Sequence, residues 1–327
     1  MVSCKCVHFR NQGYFSMFSQ IGQALKSMRR KLSPNRRAAS PKVIWAQLAK
    51  SRCKAVLLET PHGFFWTKPG DSAIGFSLFA NGEFDFADFS RLRAAIDAGV
   101  VKLPPDPVFL DVGANIGTHT IYALNSGLFS SAVCFEPDPE NFRFLSMNIT
   151  ENGYADRCHL LNVALGSEAG TAELELAADN FGDHRIRHKA HSGTVDNRYD
   201  EQSRKTVSVP MDTLDGALEK IGIAADRCFL HMDVQGFEPY VLQGAAKFLA
   251  SCQTIFTEFW PYGMARTGGA ESFRVQAEGI FPYFIDFGAG DTQTQPISNL
   301  KGAFELYAEG IGTTLLMTKV PAGKSSA

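Results

Sequence analysis

The sequence lacks any run of about 18 consecutive apolar residues, and this absence predicts a protein without a membrane-spanning helix. It also lacks the apolar segment of a secretory signal peptide and any internal repeat. Its seven cysteines are scattered, and their odd number is typical of a reducing, cytoplasmic compartment. The formal net charge of -2 gives no electrostatic reason to expect a nucleic-acid partner.

The N-terminal part of the chain differs from the rest. Apolar side chains recur at helical spacing over residues 14–28, and a basic cluster follows over residues 29–37. We expect a helix that packs on the domain and then a solvated linker. The alternative is a helix on an anionic membrane surface, which would place a cytoplasmic protein weakly at the inner membrane face.

Composition and the positions of glycine and proline divide the chain of 327 residues into four segments. With 45% hydrophobic and 20% charged residues, the chain can bury a sizeable core. We predict a helical, basic extension (1–52), a segment of β-hairpins and one helix that packs on the main domain (53–103), the main domain (104–320) and a tail (321–327).

Short apolar runs between glycines and prolines predict β-hairpins from residues 56–58, 63–66 and 74–79. A helix is predicted over residues 88–98. After residue 105, apolar strands alternate with helices. The predicted strands are 108–110, 132–135, 158–163, 172–176, 206–209, 228–232, 254–259, 283–287 and 313–318, and the predicted helices are 116–124, 139–148, 214–221, 239–249 and 272–278.

This alternation predicts an α/β fold with a mostly parallel, doubly wound sheet, because parallel strands need crossover helices. The last two predicted strands have no clear helix between them. We therefore expect an antiparallel closing strand.

A glycine-containing turn follows the first strand of the main domain, where residues 111–117 have the sequence D-V-G-A-N-I-G. Ligands of open α/β sheets bind beyond the carboxyl ends of the strands. Gly113 would let the backbone approach a ligand, Asn115 tolerates left-handed backbone angles, and Gly117 would let the helix sit near the strand. With Ala114, these residues form a predicted nucleoside-binding turn.

The chemistry around this turn favours one nucleoside. The dinucleotide pattern G-x-G-x-x-G matches at one position of three, whereas D-x-G-x-(G/N)-x-G matches at all four of its positions. Asp111 suits a ligand with an ammonium group, such as the amino-acid end of S-adenosylmethionine. Glu136 follows the second strand and can accept hydrogen bonds from both ribose hydroxyls, and Val163 and Ala164 would flank the adenine. We therefore predict S-adenosylmethionine as the cofactor.

The fourth parallel strand carries the candidate catalytic residues. Alternation puts His231 and Asp233 on one face, with Asp233 at the carboxyl end where cofactor and acceptor should meet. We predict Asp233 as general base or acceptor-positioning group, with a helix N-cap as the alternative. His231 and Glu258 are further catalytic candidates, although His231 also fits a hydrogen-bonded core position. A metal held by Asp233 with Glu238 or Glu258 is an alternative, but we assign no metal ligand.

A polar loop leaves the sheet after the adenine-side strand. Asp183, His184 and Arg185 are dense in hydrogen-bond donors and acceptors, so we predict a loop that folds over the active site and contacts the substrate. A solvated loop is the alternative. His184, His188 and His191 have no carboxylate or cysteine partner at metal-binding spacing.

These motifs resemble the FkbM family of S-adenosylmethionine-dependent methyltransferases over roughly residues 80–262. The matching segments are F-L-D-V-G-A-N-I-G at 109–117, F-E-P at 135–137, N-V-A-L at 162–165, M-D-T-L-D at 211–215 and M-D-V-Q-G-F-E at 232–238. The resemblance implies a Rossmann-like class I methyltransferase domain at 104–320, cofactor binding by residues 111–117 and Glu136, and Asp233 beside the transferring methyl group. It also implies O-methylation of a hydroxyl on a sugar, glycan or secondary metabolite.

Two positions depart from the family's last motif, which usually has the sequence K-I-D-V-E-G-x-E. The lysine position is His231 and the first glutamate position is Gln235. These departures leave a non-catalytic S-adenosylmethionine-binding module open as an alternative. A nicotinamide-dependent oxidoreductase is a second alternative, although its turn pattern matches poorly. The sequence determines neither the acceptor nor the oligomeric state.

Overall fold

The structure is a computed structural model that describes residues 4–6, 39–187, 203–291, 293–308, 310 and 312–320, with side chains described from residue 39 onward. The predicted helix at 14–28, the basic cluster at 29–37, His188, His191 and the tail lie outside these residues. No described helix combines the length and the apolar character needed to cross a membrane.

The elements follow in this order along the described chain. The strands are β1 (Cys4–Cys6), β2 (Val56–Thr60), β3 (Gly63–Thr67), β4 (Val108–Val112), β5 (Ser131–Phe135), β6 (Cys158–Leu161), β7 (Ala164–Leu165), β8 (Gly170–Leu176), β9 (Arg185–Ile186), β10 (Lys205–Asp212), β11 (Cys228–Met232), β12 (Thr254–Phe259), β13 (Tyr283–Asp286), β14 (Gln295–Pro296) and β15 (Thr313–Thr318). The helices are α1 (Pro41–Lys50), α2 (Ile74–Asn81), α3 (Phe86–Asp97), α4 (Thr118–Asn125), α5 (Pro139–Glu151), α6 (Leu214–Ile221), α7 (Glu238–Gln243), α8 (Ala246–Ser251), α9 (Pro261–Arg266), α10 (Ala270–Ile280) and α11 (Leu300–Leu306).

The main sheet has the strand order β14-β13-β15-β12-β11-β4-β5-β6. The strands from β12 to β6 in that order are parallel, and β15 lies antiparallel between β12 and β13. The predicted α/β fold, with a mostly parallel, doubly wound sheet and an antiparallel closing strand, is therefore confirmed. The expectation that no helix joins the last two strands is wrong, because α11 lies between β13 and β15.

A second sheet with the order β7-β10-β8-β9 interrupts the alternation of strands and helices along the chain. It contains the predicted strands at 172–176 and 206–209, which pair antiparallel with Val209 opposite Ala172. β10 also pairs parallel with β7, directly after the edge strand β6. This sheet therefore places the loop before β9 beside the carboxyl edge of the main sheet.

The segment before the main sheet begins with the predicted hairpin, in which β2 pairs antiparallel with β3. The prediction of a further hairpin at 74–79 is wrong, because this apolar run forms α2. Asp71 accepts hydrogen bonds from the N–H groups of Ala73 and Gly75, and Gly82 ends the helix with a φ of 79°. The carboxylate before the run and the left-handed glycine after it thus favour a helix over a strand.

The core occupies both faces of the main sheet because side chains alternate along each strand. Val108 and Leu110 face one apolar cluster and Phe109 faces the other, which also contains the hairpin. Trp45 of α1 is buried in that second cluster, and its indole N–H donates to the Asp71 carbonyl over 2.8 Å. The end of the predicted extension is therefore packed on the hairpin segment, while the division into domains stays a prediction.

Glycines shift two predicted helix boundaries. The helix expected at 116–124 begins at Thr118, because Gly117 has a φ of 89°. The helix expected at 239–249 is divided into α7 and α8 at Gly244, where a Cβ atom would lie 2.1 Å from the Gly166 carbonyl oxygen. A close backbone contact therefore explains the division.

Candidate active site

A cavity of about 230 Å³ lies beyond the carboxyl ends of β4, β5 and β11, where the strand order reverses. We call it the switch-point cavity. Its walls include most of the predicted cofactor residues, namely Gly113, Ala114, Asn115, Glu136, Val163, Ala164 and Asp233. Asp111 and Gly117 are absent from the lining of this cavity among the described residues.

Gly113 sits where two loops of the site touch. Its φ is 85°, and a Cβ atom on it would lie 1.8 Å from the backbone carbonyl oxygen of Asp233. The Asp233 N–H in turn donates to the Val112 carbonyl over 2.9 Å. Gly113 therefore lets the loops after β4 and β11 pack against each other and leaves bare backbone in the cavity wall.

Gly117, which was predicted to let the following helix sit near the strand, lies close to another helix. A Cβ atom on Gly117 would lie 2.7 Å from Leu145 Cδ1, so the residue faces α5. Its contribution is therefore helix packing against α5, and the predicted contact of Gly117 with the cofactor does not fit this geometry.

Glu136 is held at the cavity by the turn. Its Oε2 accepts a hydrogen bond from the Asn115 N–H over 2.9 Å, and its Oε1 accepts one from the Asp138 N–H over 2.8 Å. Asn115 has the expected left-handed conformation, with a φ of 50°. Burial raises the pKa of Glu136 to about 8, although the two backbone hydrogen bonds oppose this shift. Each carboxylate oxygen can accept another hydrogen bond, so Glu136 can bind a pair of hydroxyls.

Asp111 lies behind the cavity wall. It shares a sheet face with Phe109, is 1% exposed, and pairs in register with His231 on β11. Its Oδ1 lies 2.8 Å from His231 Nδ1, and its Oδ2 accepts a hydrogen bond from the Thr120 hydroxyl. The predicted contact of Asp111 with an ammonium group therefore does not fit the structure, because strand alternation turns the carboxylate under α4.

The charge state of Asp111 follows from these neighbours. Burial disfavours its ionised form, but the hydrogen bond with His231 outweighs that cost and lowers the pKa of Asp111. An ionised Asp111 accepts a hydrogen bond from the N–H group at His231 Nδ1. The other ring nitrogen, Nε2, is then the one available to a ligand.

A second cavity of about 290 Å³ adjoins the first and shares Asp85, His119, Asp233 and Glu258 with it. All three predicted catalytic residues, Asp233, His231 and Glu258, line this second cavity. Further lining residues that carry polar side chains are Asp88, Arg91, Thr313 and Thr314. The two cavities meet at a wall that is rich in carboxylates.

At that wall lies a carboxylate cluster, which we define as Asp233, Glu238 and Glu258. Asp233 and Glu258 line both cavities, and Glu238 is buried beside them. One carboxylate oxygen of each lies within 4.8 Å of the others. Gln235 Nε2 donates to Asp233 Oδ1 over 2.7 Å and to Glu258 Oε2 over 3.1 Å. Burial, followed by the negative charge of Asp233 and Glu238, raises the pKa of Glu258 well above its usual value. Burial and mutual repulsion therefore disfavour the ionisation of all three carboxyl groups together.

The predicted substrate loop is only partly at the site. His184 lines the switch-point cavity, whereas Asp183 lies in a buried ion-pair network. Asp183 carboxylate oxygens lie 2.5 Å from Arg185 Nη2 and 2.5 Å from Arg204 Nη2, and Arg185 stacks on Trp260. The predicted substrate contacts of Asp183 and Arg185 do not fit this arrangement, because their charges are taken up inside the protein.

The loop is fixed to the site through one backbone carbonyl. Phe181 O accepts hydrogen bonds from the side-chain amides of Asn115 and Asn141, each over 2.9 Å. Asn180, Gly182 and His184 thereby contribute to the cavity wall. The described part of the loop contributes to the cavity wall, and its closure over an active site stays a prediction.

Some lining residues were missed by sequence reasoning. His119 lines both cavities from the first turn of α4, and its ring centroid lies 4.4 Å from that of His231. Its position directly after the glycine turn could have identified it. Asp85 also lines both cavities but has a sequence context that does not distinguish it from a surface residue.

Comparison with known families shows which protein family this chain belongs to. The family model described as the methyltransferase FkbM domain matches residues 111–280, about half of the chain. The chain belongs to the FkbM methyltransferase family. The matched range begins at Asp111 and contains Glu136 and the carboxylate cluster.

Two relatives of this FkbM-family chain carry methyltransferase names. The 2-O-methyltransferase NoeI of Sinorhizobium fredii (strain NBRC 101917 / NGR234) is 28% identical over 162 residues, which are 47% of this chain and 64% of that protein. The methyltransferase sdnD of Sordaria araneosa is 25% identical over 166 residues, which are 44% of this chain and 62% of that protein. The chain thus spans less than two thirds of the length of either relative.

Solved structures are more distant. An O-methyltransferase from Bacillus cereus in complex with SAH is 13% identical and covers 75% of this chain and 96% of its own, with a TM-score of 0.37. A transferase from Pyrococcus horikoshii is 16% identical and covers 81% of this chain and 71% of its own, with a TM-score of 0.34. Similarity at this level supports no further conclusion.

Proposed function

We propose that this chain transfers a methyl group from S-adenosylmethionine to a hydroxyl oxygen. The observation that carries the proposal is the meeting of the Gly113 turn, Glu136, the Val163–Ala164 edge and Asp233 in one cavity at the switch point of the sheet. Membership of the FkbM family supports methyl transfer and does not favour the nicotinamide alternative.

The lining of the switch-point cavity fits S-adenosylmethionine. The bare backbone at Gly113 admits a close ligand, and Glu136 can accept both ribose hydroxyls. Val163 and Ala164 offer an apolar edge to the adenine. Asp233, in place of Asp111, presents a carboxylate to the ammonium group. Bound there, the cofactor supplies an electrophilic methyl group on a sulfonium sulfur.

The second cavity is the proposed acceptor site. His231 lines it, and the hydrogen bond between Asp111 and Nδ1 fixes the ring and leaves Nε2 to receive a proton. The acceptor hydroxyl oxygen forms the new C–O bond to the methyl carbon as the C–S bond breaks. The hydroxyl proton passes to His231 Nε2, and Asp111 stabilises the resulting imidazolium.

The polarity of the second cavity favours a polyhydroxylated acceptor. Asp85, Asp88, Asp233 and Glu258 offer hydrogen-bond acceptors to hydroxyl groups, and Arg91 offers donors. A sugar or glycan carries such hydroxyls at close spacing. The name of the relative NoeI, a 2-O-methyltransferase, supports transfer to oxygen. We therefore propose a sugar or glycan hydroxyl as the acceptor in preference to a hydroxyl of a secondary metabolite.

Calorimetry with S-adenosylmethionine tests the cofactor assignment. We expect micromolar binding that Glu136→Ala weakens at least tenfold, while Glu219→Ala, on the exposed surface of α6, binds like the wild type. Unchanged binding by Glu136→Ala would remove Glu136 from the ribose contact. Binding of NADH without S-adenosylmethionine would overturn the proposed function.

Labelled methyl transfer to sugars and glycans tests the acceptor assignment. We expect His231→Gln to reduce kcat at least 100-fold and to bind S-adenosylmethionine within threefold of the wild type. Full turnover by this variant would remove His231 from the chemistry. A mass increase of one methyl group in an extract, found only with active enzyme, would identify the acceptor and exclude a non-catalytic module.

A further inference from the structure

The carboxylate cluster of Asp233, Glu238 and Glu258 has the dimensions of a metal site. Its three oxygens lie within 4.8 Å of one another. Oxygens that share one ion at about 2.1–2.4 Å are separated by at most about 4.2–4.8 Å. The three side chains can therefore reach one ion after small rotamer adjustments.

The carboxyl groups of this cluster have no ion-pair partner in the described part of the chain. No salt bridge there involves Asp233, Glu238 or Glu258. At the second cavity, Arg91 pairs with Asp88 and His231 pairs with Asp111. Three neighbouring carboxylates without a cation are costly in a partly buried site.

Glu238 provides independent support. It is fully buried, and its Oε1 accepts hydrogen bonds from the N–H groups of Val234 and Gly236. Its Oε2 is also buried but has no hydrogen-bond partner among the described residues. Buried carboxylate oxygens are rarely left in this state, because the lost hydration is not replaced. An ion in the cluster would satisfy this oxygen.

We propose that Asp233, Glu238 and Glu258 together bind one divalent cation of the Mg²⁺, Mn²⁺ or Ca²⁺ class. All three ligands are carboxylate oxygens, which these hard cations prefer over the nitrogen and sulfur ligands of zinc. Gln235 fits as a fourth ligand, because a rotation of its amide replaces the Nε2 donor with the Oε1 acceptor. Asp233 and Glu258 also line both cavities, which gives the ion a path from solvent.

The position of the ion gives it a role in the proposed reaction, although its binding does not depend on that reaction. It lies at the wall between the cofactor and acceptor cavities. There it offsets the negative charge and can polarise an acceptor hydroxyl oxygen next to the methyl group. The substrates best suited to it have two neighbouring hydroxyls, of which one binds the ion.

Binding of Mn²⁺ alone, followed by electron paramagnetic resonance without S-adenosylmethionine, tests the site. We expect one ion per chain with a Kd below about 1 mM. Glu258→Gln and Asp233→Asn should each weaken binding at least tenfold, and Gln235→Glu should strengthen it. Glu219→Gln, a matched change on the surface of α6, should bind Mn²⁺ like the wild type.

Circular dichroism shows whether each variant is folded. The Mn²⁺ titration of the wild type tests the site even if a variant is unfolded. Saturable binding that is lost in the cluster variants supports the site. No saturable binding by the wild type up to 10 mM, or equal binding by the cluster variants and Glu219→Gln, overturns it. Because the titration uses only the metal, a failure of methyl transfer would leave this result standing.

Discussion

Asp111 and His231 lie side by side in register on neighbouring parallel strands, with 2.8 Å between Asp111 Oδ1 and His231 Nδ1. The first residue of the glycine turn is therefore connected to the second cavity through His231, and it lines neither cavity itself. In the proposed reaction, Asp111 is a positioning residue that orients the imidazole.

Asp111→Asn should separate this positioning role from a direct cofactor contact. The change removes the charge from a buried, charge-assisted hydrogen bond, so we expect a loss of about 2–3 kcal/mol in the free energy of unfolding. The Kd for S-adenosylmethionine should stay within threefold of the wild type. Urea unfolding and calorimetry below the transition measure both quantities. A Kd raised tenfold or more in folded protein would restore Asp111 to the cofactor site.

Gly113→Ala should destroy the contact between the loops after β4 and β11. The added Cβ atom would lie 1.8 Å from the Asp233 carbonyl oxygen, and the backbone has a positive φ. Gly127→Ala is the matched control, since Gly127 also has a positive φ but has no atom within 4 Å of the added Cβ. We expect about 1 kcal/mol of destabilisation for Gly127→Ala and at least 2 kcal/mol more for Gly113→Ala, measured by urea unfolding. Equal losses would contradict the proposed loop contact.

Glu136 should make the cofactor-free protein less stable as the pH rises. Its pKa is about 8 in the folded protein and 4.5 in its unperturbed state, with burial as the largest cause. Between these values the folded state keeps a proton that the unfolded state has lost, so stability falls by up to about 1.4 kcal/mol per pH unit. Glu136→Gln should remove this contribution between pH 5 and 8. Glu140→Gln, on the exposed first turn of α5, should keep the wild-type slope, and the same slope in Glu136→Gln would refute the raised pKa.

Asp183→Asn should affect stability more than ligand binding. It removes the charge that pairs with two largely buried arginines, Arg185 and Arg204, so we expect a cost of about 3 kcal/mol. The exposed Asp179→Asn should change stability by less than about 0.5 kcal/mol. Thermal unfolding gives the comparison, and calorimetry should show S-adenosylmethionine binding within threefold of the wild type. A stable Asp183→Asn variant with impaired binding would place Asp183 back at the cavity.

Local sequence patterns predicted most of the main sheet. The strands at 228–232, 254–259 and 313–318 and the helix at 214–221 have the predicted bounds. The run at 74–79 is as long as two of these strands, and a short apolar run does not distinguish a strand from a buried helix. Asp71 before it and Gly82 after it were the sequence features that indicated a helix.

The candidate site shows where local patterns stop being sufficient. Gly113, Glu136 and Asp233 were identified from the sequence, because the carboxyl ends of parallel strands must meet at one edge of the sheet. The direction of the Asp111 side chain was not, since a residue at the end of a strand can point toward the turn or under the following helix. Pairing with His231 settled that direction.

The sequence by itself determined the order of strands and helices, the turn at 111–117 and the family, because these depend on neighbours along the chain. Only the tertiary structure decided which polar side chains interact with each other. Strand register places Asp111 beside His231, Asp183 forms an ion pair with Arg204, and Glu258 lies close to Asp233 at the ends of adjacent strands. Such contacts depend on register and burial in three dimensions, which spacing along the chain does not specify.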